Sequence, residues 1–279
     1  MNGRAFLILL AVVVCHSPSR IFATDVVFSG NSGFGLEGSA IGSQSGGLIA
    51  FNTEDISTAN VPFDFPGNLD AVHILENGNY LVSYHSEITI AGFTFDDDHI
   101  VEYDVSSNEV TSFFDYAGIL TSPADADIDA FFLLSNGNHV FSNRNDGSIG
   151  GLDITSNDLV EYNPTTGEAS IFWDGSLIKE GDRFNNLSGA SLFADDVLAL
   201  SVSTGGTPDI SIGGQAFQRN EIVLYDMAAD SGSLLVGNEL LSATAVNGIH
   251  IGQAVVVPEP ATECWFVCFL ALGFFRRKR

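Results

Sequence analysis

Asp70, Asp129, Ser188 and Asn247 recur every 59 residues, and each carries a side-chain oxygen. Carboxylate, amide and hydroxyl oxygens are hard donors of the kind calcium prefers. Brought together, the four would make a ring of ligands for such an ion. Each also directly precedes an apolar segment, where Asp, Ser and Asn serve as turn residues that cap a strand entry. On sequence both roles stand open. Other candidates are weaker. Asp96-Asp97-Asp98 reads as solvated loop charge. Asp125, Asp127 and Asp129 alternate, but an EF-hand loop needs Gly at its sixth position and Glu at its twelfth, and this segment has neither. It too reads as loop charge. His73, His85, His99, His139 and His250 do not fall at the spacing of a histidine metal pair. Ser83, Ser142 and Ser201 share the 59-residue spacing and read as structural strand residues. No nucleophile elbow, phosphate loop or zinc motif is present.

The spacing that defines the ring belongs to a longer duplication. At an offset of 59, Leu69-Asp70-Ala71 lies over Ile128-Asp129-Ala130, and Asn77-Gly78-Asn79 over Asn136-Gly137-Asn138. In the same register Gly92 meets Gly151, Val101-Glu102-Tyr103 meets Val160-Glu161-Tyr162, and Phe113 meets Phe172. A third copy starts at Leu187-Ser188, with an insertion near 204–209 that brings Ile212-Gly213-Gly214 over Ile149-Gly150-Gly151. A fourth starts at Val246-Asn247-Gly248. Its missing second half is expected at the N-terminus, where Gly47-Leu48-Ile49-Ala50-Phe51-Asn52 resembles His99-Ile100-Val101-Glu102-Tyr103-Asp104. Self-similarity at a fixed period is the mark of a repeat architecture.

Within a copy the signals are those of strands. Ala71–Leu75 and Tyr80–Tyr84 flank an Asn77-Gly78 turn, a strong hairpin signal. Asn163-Pro164-Thr165-Thr166-Gly167 marks a second turn, with Pro fixing φ and Gly permitting positive φ. Four meandering strands per copy describe a β-propeller blade. The expected fold is therefore all-β, a propeller of about four blades. Its repeats lie near 69–127, 128–186 and 187–245, with a closing blade split between 246–257 and 47–68. The Gly/Ser-rich stretch 24–46 reads as an arm. A sandwich or solenoid of the same meanders is the competing architecture.

Composition narrows the function classes. The formal net charge is −25, and only Arg144, Lys179, Arg183 and Arg219 are basic between the terminal segments. Such a surface repels nucleic acid and anionic lipid and favours cations. Cys15, Cys264 and Cys268 all lie in the terminal segments, so the body has neither disulfide nor thiolate site.

The ends carry addresses. Arg4, the apolar run Ala5–Val14 and the small residues up to Ala23 have the order of a signal peptide, with cleavage expected after Ala23. At the other end stand Val257-Pro258-Glu259-Pro260, an apolar run from Cys264 to Phe275, and Arg276-Arg277-Lys278-Arg279. This tail resembles the PEP-CTERM sorting signal, which exosortase-type membrane proteins of Gram-negative bacteria recognise. Glu263, the aromatic residues of the run and its short length depart from the usual pattern. The resemblance implies an exported protein sorted to the cell envelope, surface or extracellular matrix. Its C-terminal helix would be membrane-inserted before processing, and exosortase-type machinery would be its partner.

The expectation for function follows: an exported, non-enzymatic binding or structural module, with extracellular polysaccharide as one candidate ligand and calcium as the candidate cofactor. The rival is a lactonase-like propeller hydrolase using a metal bound in the channel.

Overall fold

The computed structural model describes residues 25–30, 47–53, 55–62, 64–121, 126–178, 186–203, 210–219, 221–237 and 246–252. Both terminal segments lie outside them, with the expected signal and sorting helices and the motif residues Val257–Pro260 and Arg276–Arg279. Among the described residues no helix is long and apolar enough to cross a membrane.

Four antiparallel sheets of four strands each make the body. The first blade runs Leu69–Ile74, Tyr80–Tyr84, His99–Asp104 and Glu109–Asp115. The second runs Ile128–Leu133, His139–Asn143, Leu159–Tyr162 and Ala169–Trp173. The third runs Asn186–Ala194, Val197–Ser203, Ile222–Asp226 and Ser231–Val236. The fourth is closed by the two ends of the body: Val246–Ile251 pairs with Asp25–Gly30, which pairs with Leu48–Asn52 and then Asp55–Asn60. The protein is an all-β, four-bladed propeller. Its repeats begin where the duplication places them, but the segment read as an arm contains a strand, Asp25–Gly30, that completes the closing blade.

Burial follows strand position. The second strands Tyr80–Tyr84 and His139–Asn143 are buried throughout, whereas the outermost Glu109–Asp115 shows only exposed and half-buried positions. A strand covered on both faces must be continuously apolar or internally satisfied, and an edge strand can carry charge. The turns behave as their sequence requires. Gly78 and Gly137 hold φ of +86° and +83°, and Asn79 and Asn138 each donate a backbone N–H to the side chain of the turn Asn at 2.9 Å. In each of the first three blades a small hairpin separates the second and third strands: Ile88–Ile90 with Phe93–Phe95, Gly147–Ile149 with Leu152–Ile154, and Ile210–Ile212 with Gln215–Phe217.

Small residues bring the innermost strands together. Ala71, Ala130, Gly189 and Gly248 occupy equivalent positions, 59 apart, just after the ring residues. A Cβ on Gly248 would lie 2.8 Å from backbone atoms of Ala71 and Val72, and one on Gly189 2.8 Å from the Asn247 carbonyl. At Gly189 and Gly248 neighbouring blades therefore approach too closely to admit a Cβ. The recurring serines then fasten blade to blade. Ser29 donates to Leu69 O at 3.0 Å, Ser142 to Leu187 O at 3.5 Å, and Ser201 to Val246 O at 3.2 Å. Each links a second strand to the first strand of the next blade. Ser83 departs from the series and donates to Asp97 O at 3.4 Å.

Candidate cation site

The entry ends of the innermost strands converge on a cavity of about 170 Å³. Asp70, Asp129, Ser188 and Asn247 all line it, one from each blade, together with Asn68, His85, Arg144 and Asn186. The four ring residues are 3–6 % exposed. The added residues follow the same period. Asn68, Asp127 and Asn186 stand two positions before Asp70, Asp129 and Ser188, and side chains two apart on a strand share a face. His85 and Arg144, also 59 apart, form the rim at the end of the second strands. Asp127 is the main difference from the sequence reading. It is not solvated charge but a buried carboxylate, 5 % exposed, beside Asp70 and His85.

Hydrogen bonds hold this arrangement. Asp127 N–H donates to Asn143 Oδ1 at 2.9 Å, and Arg144 N–H to the Asp127 carbonyl at 2.8 Å. His85 N–H donates to Asn68 O at 3.2 Å, and Asn247 Nδ2 to Asn68 Oδ1 at 3.1 Å. Asn186 Nδ2 donates to Asp129 Oδ2. Ser188 donates to Val246 O at 2.8 Å, so its hydroxyl proton is committed to the seam, and its oxygen also lies 3.3 Å from the Ser201 hydroxyl. On the rim, Arg144 Nη1 donates to Asp127 Oδ2 at 3.0 Å and to His85 Nδ1 at 2.6 Å. That second bond makes Nδ1 an acceptor, so its 3.5 Å approach to Asp70 Oδ2 is not a hydrogen bond.

Among the described residues Asp70 Oδ2, Asp127 Oδ1 and Asn186 Oδ1 are buried with no hydrogen-bond partner, as is the Tyr84 hydroxyl in the first blade. Asp70 and Asn186 line the cup, and Asp127 adjoins it beside Asp70 and His85. Ligand atoms of Asp70, Asp127 and His85 lie within 4.8 Å of one another. Burial is the main force on the acids. It pushes the Asp70 carboxyl up to about 9, with the charges of Asp129 and Asp127 adding to it and Arg144 opposing. It pushes Asp129 up to about 8, aided by Asp127 and opposed by Asn186 and Arg144. Asp127 is raised by burial as well, against the hydrogen bond and charge of Arg144. A carboxylate can remain ionised in such a place only beside a compensating cation, and one guanidinium faces three carboxyls. The donor set, carboxylate and amide oxygen with a hydroxyl, fits calcium or magnesium and not a thiolate-seeking metal.

The other candidates lie elsewhere. Asp98 pairs with His99 at 2.6 Å on the first blade, and Asp96 and Asp97 lie beside that pair. His73, His139 and His250 sit at the opposite ends of the inner strands. His73 and His250 stack edge to face with ring centroids 5.1 Å apart, and His139 Nδ1 lies 2.9 Å from the Tyr116 hydroxyl.

No family model matches the chain, and no curated protein matches it. Solved structures overlap with the chain loosely. One is a virginiamycin B lyase from Staphylococcus aureus, at 10 % identity and a TM-score of 0.29 over 75 % of this chain and 58 % of that one. A gluconolactonase from Xanthomonas campestris overlaps at 10 % identity and a TM-score of 0.36, over 67 % and 68 % of the two chains. An auxiliary nutrient binding protein from Bacteroides thetaiotaomicron gives 8 % identity and a TM-score of 0.33, over 76 % and 49 %. The chain thus spans less than two thirds of the length of the lyase. At these values no activity or ligand transfers, and the four-bladed fold rests on the sheet order of the chain itself.

Proposed function

We propose that the protein is an exported propeller whose central cup holds a divalent cation, calcium in the first place, and that it serves as a binding module of the cell envelope or extracellular matrix. The observation that carries the cation is the set of unpartnered buried oxygens: Asp70 Oδ2 and Asn186 Oδ1 from residues that line the cavity, and Asp127 Oδ1 from a residue whose carboxylate lies within 4.8 Å of Asp70 and His85. Leaving a buried acceptor without a donor costs about 1–3 kcal/mol, and more for a charged one. A cation there offsets several such costs at once. Asp129, Ser188 and Asn247 complete the oxygen set. Export and sorting rest on the signal-type N-terminus and on the likeness of Val257–Pro260 and Arg276–Arg279 to the PEP-CTERM signal. Exosortase-type machinery is the implied partner, and extracellular polysaccharide is a candidate for what the module binds.

The test is calcium titration by calorimetry, with magnesium at matched ionic strength beside it. Saturable binding lost in Asp70→Asn supports the reading, and heats equal to those of a simple salt would refute it. Intact-mass measurement of the exported protein tests the sorting half, which predicts that neither Met1 nor Arg279 survives.

One observation favours a second reading, the lactonase-like hydrolase. His85 stands at the open rim beside the carboxylates, with 44 % of its side chain exposed, where it could relay a proton to or from a ligand in the cup. A bound cation would supply Lewis-acid polarisation. Calcium-dependent hydrolysis of simple lactones, lost in His85→Ala, would establish it.

A further inference from the structure

The ring residues of the cup are 3–6 % exposed, whereas the side chains of His85 and Arg144 at its rim are each 44 % exposed. An ion in the cup is therefore reached past these two side chains. Asp70, Asp129, Asn186, Ser188 and Asn247 line the cavity, and Asp127 adjoins it. One oxygen from each falls at or below the shell of about six to eight that calcium takes. The mouth side of the ion is left to oxygens from outside the chain.

Arg144 stands at that mouth with part of its fork unused. A guanidinium carries its N–H donors in one rigid plane. Nη1 spends its own on Asp127 Oδ2 at 3.0 Å and His85 Nδ1 at 2.6 Å. Nε and Nη2 have no hydrogen-bond partner among the described residues. The two bonds on Nη1 hold the plane, so the remaining donors are oriented before any ligand arrives. His85 Nδ1, which accepts from Arg144, lies 3.5 Å from Asp70 Oδ2, one of the unpartnered oxygens of the cup. The guanidinium and an ion held by Asp70 are thus close neighbours.

We propose that the cation-loaded cup binds a carboxylate group, held by the ion and by the Nε and Nη2 donors of Arg144; the proposal rests on the cation reading above. A carboxylate is a hard-oxygen ligand for calcium and the planar partner of a guanidinium fork. The ion and the guanidinium are like charges at one mouth, and an anion bridging them offsets their repulsion. Without the ion, Asp70, Asp127 and Asp129 turn the same anion away, so the cation binds first. A cavity of about 170 Å³ that already holds an ion admits the carboxyl end of a molecule and leaves the rest at the rim. Two sources share this chemistry, a small free acid and the pendant carboxyl of a uronate sugar. A dianion such as sulfate enters at greater cost, because the chain carries a net charge of −25.

The test is calcium affinity of the full chain, by calorimetry with free calcium read at an electrode. It is measured alone and with acetate, methyl glucuronoside, methyl glucoside or sulfate at matched ionic strength. Coupling between two ligands is reciprocal, so acetate or the glucuronoside should tighten calcium by about tenfold. The stronger of the two identifies the source, and neither the glucoside nor sulfate should match it. Saturation-transfer NMR should show the glucuronoside on the protein with calcium and not with chelator. Arg144→Gln removes a like charge beside the ion, so it should bind calcium more tightly yet lose the carboxylate effect. A fold defect would weaken both. Arg144→Lys keeps the charge without the fork and should lose most of the effect. Calcium binding that ignores both carboxylates would overturn this proposal and leave the cation reading standing, whereas absence of calcium binding would overturn both. A carboxylate effect that survives in both Arg144 variants, or glucuronoside binding that persists in chelator, would overturn it as well.

Discussion

The same four inner strands end in opposite chemistry. At their entry ends Asp70, Asp127 and Asp129 are buried as acids, and burial with mutual repulsion pushes the Asp70 and Asp129 carboxyls up to about 9 and about 8. At and beside their exit ends stand three histidines, His139 buried and His73 and His250 half-buried. Burial pushes His73 and His139 down to about 4, and burial with His73 as neighbour pushes His250 to about 3. A histidine so placed is simply neutral, and aromatic rings suffice to surround it. His139 has Phe113, Phe114, Phe131 and Tyr162 about it and the Tyr116 hydroxyl on Nδ1. Three clustered carboxyls have no such neutral solution near pH 7 unless protons or a cation are supplied. One end holds neutral rings, with His73 Nδ1 its unpartnered nitrogen among the described residues. The other is a site that requires an occupant.

The waist between the two ends offers the largest effect. Gly248→Ala would drive a methyl group to 2.8 Å from the Ala71 and Val72 backbone. Overpacking of this kind costs about 1–3 kcal/mol, and contact with backbone places it at the upper end. Denaturant melts should show it, and both ends should loosen together because the strands are shared.

The two ends should then separate by pH. For the acids, the folded value lies above the unfolded 3.8, so the folded state holds more protons between about 4 and 9. Their contribution is whole below pH 3.8 and is lost as pH rises towards 8–9. Chelator-treated protein should therefore weaken across that window, and calcium should restore it. Asp70→Asn and Asp129→Asn should each raise the melting temperature of the chelated protein at pH 8, corresponding to about 1–3 kcal/mol, and flatten the decline.

For the histidines the sign reverses. Their folded values lie below the unfolded 6.5, so stability is whole above pH 6.5 and is lost as pH falls from there towards 4. Each fully buried imidazole sets a slope of at most about 1.4 kcal/mol per pH unit. His250→Phe should make the acid limb shallower without altering the alkaline one. If one variant moved both limbs, the two ends would not be independent.

The smallest expected effect lies in the serine fasteners. Ser201→Ala removes the hydrogen bond to Val246 O, which links the third blade to the fourth. A loss of about 1 kcal/mol is expected, insensitive to pH in both windows.

The ring was legible because Asp70, Asp129, Ser188 and Asn247 share a period and a flanking apolar pattern. The second tier was no less periodic. Asn68, Asp127 and Asn186 keep the 59-residue spacing, but the alternation of Asp125, Asp127 and Asp129 points to a calcium loop, where consecutive spacing matters. The relevant geometry was that of a strand entry, where positions two apart face the same way. His85 and Arg144 share a position but not a chemistry, so their convergence shows only once the second strands are seen to end at the same mouth. Asp25–Gly30 was missed for another reason. Its partner Val246–Ile251 lies more than 200 residues away, and the Gly-rich residues that follow it obscure the local pattern. Pairing across the chain ends leaves no local trace.

The central claim concerns the cup, and calcium-dependent thermal stability tests it most directly. Melts at pH 8 should be recorded with calcium, with magnesium at matched ionic strength, and with chelator. A ligand that binds only the folded state adds about 2.7 kcal/mol at a hundredfold excess over its dissociation constant. The account predicts a calcium shift of that order, larger than the magnesium shift, rising with pH and absent in the Asp70→Asn, Asp129→Asn double variant. A calcium shift no larger than that of the matched salt, or one that survives in the double variant, would contradict it.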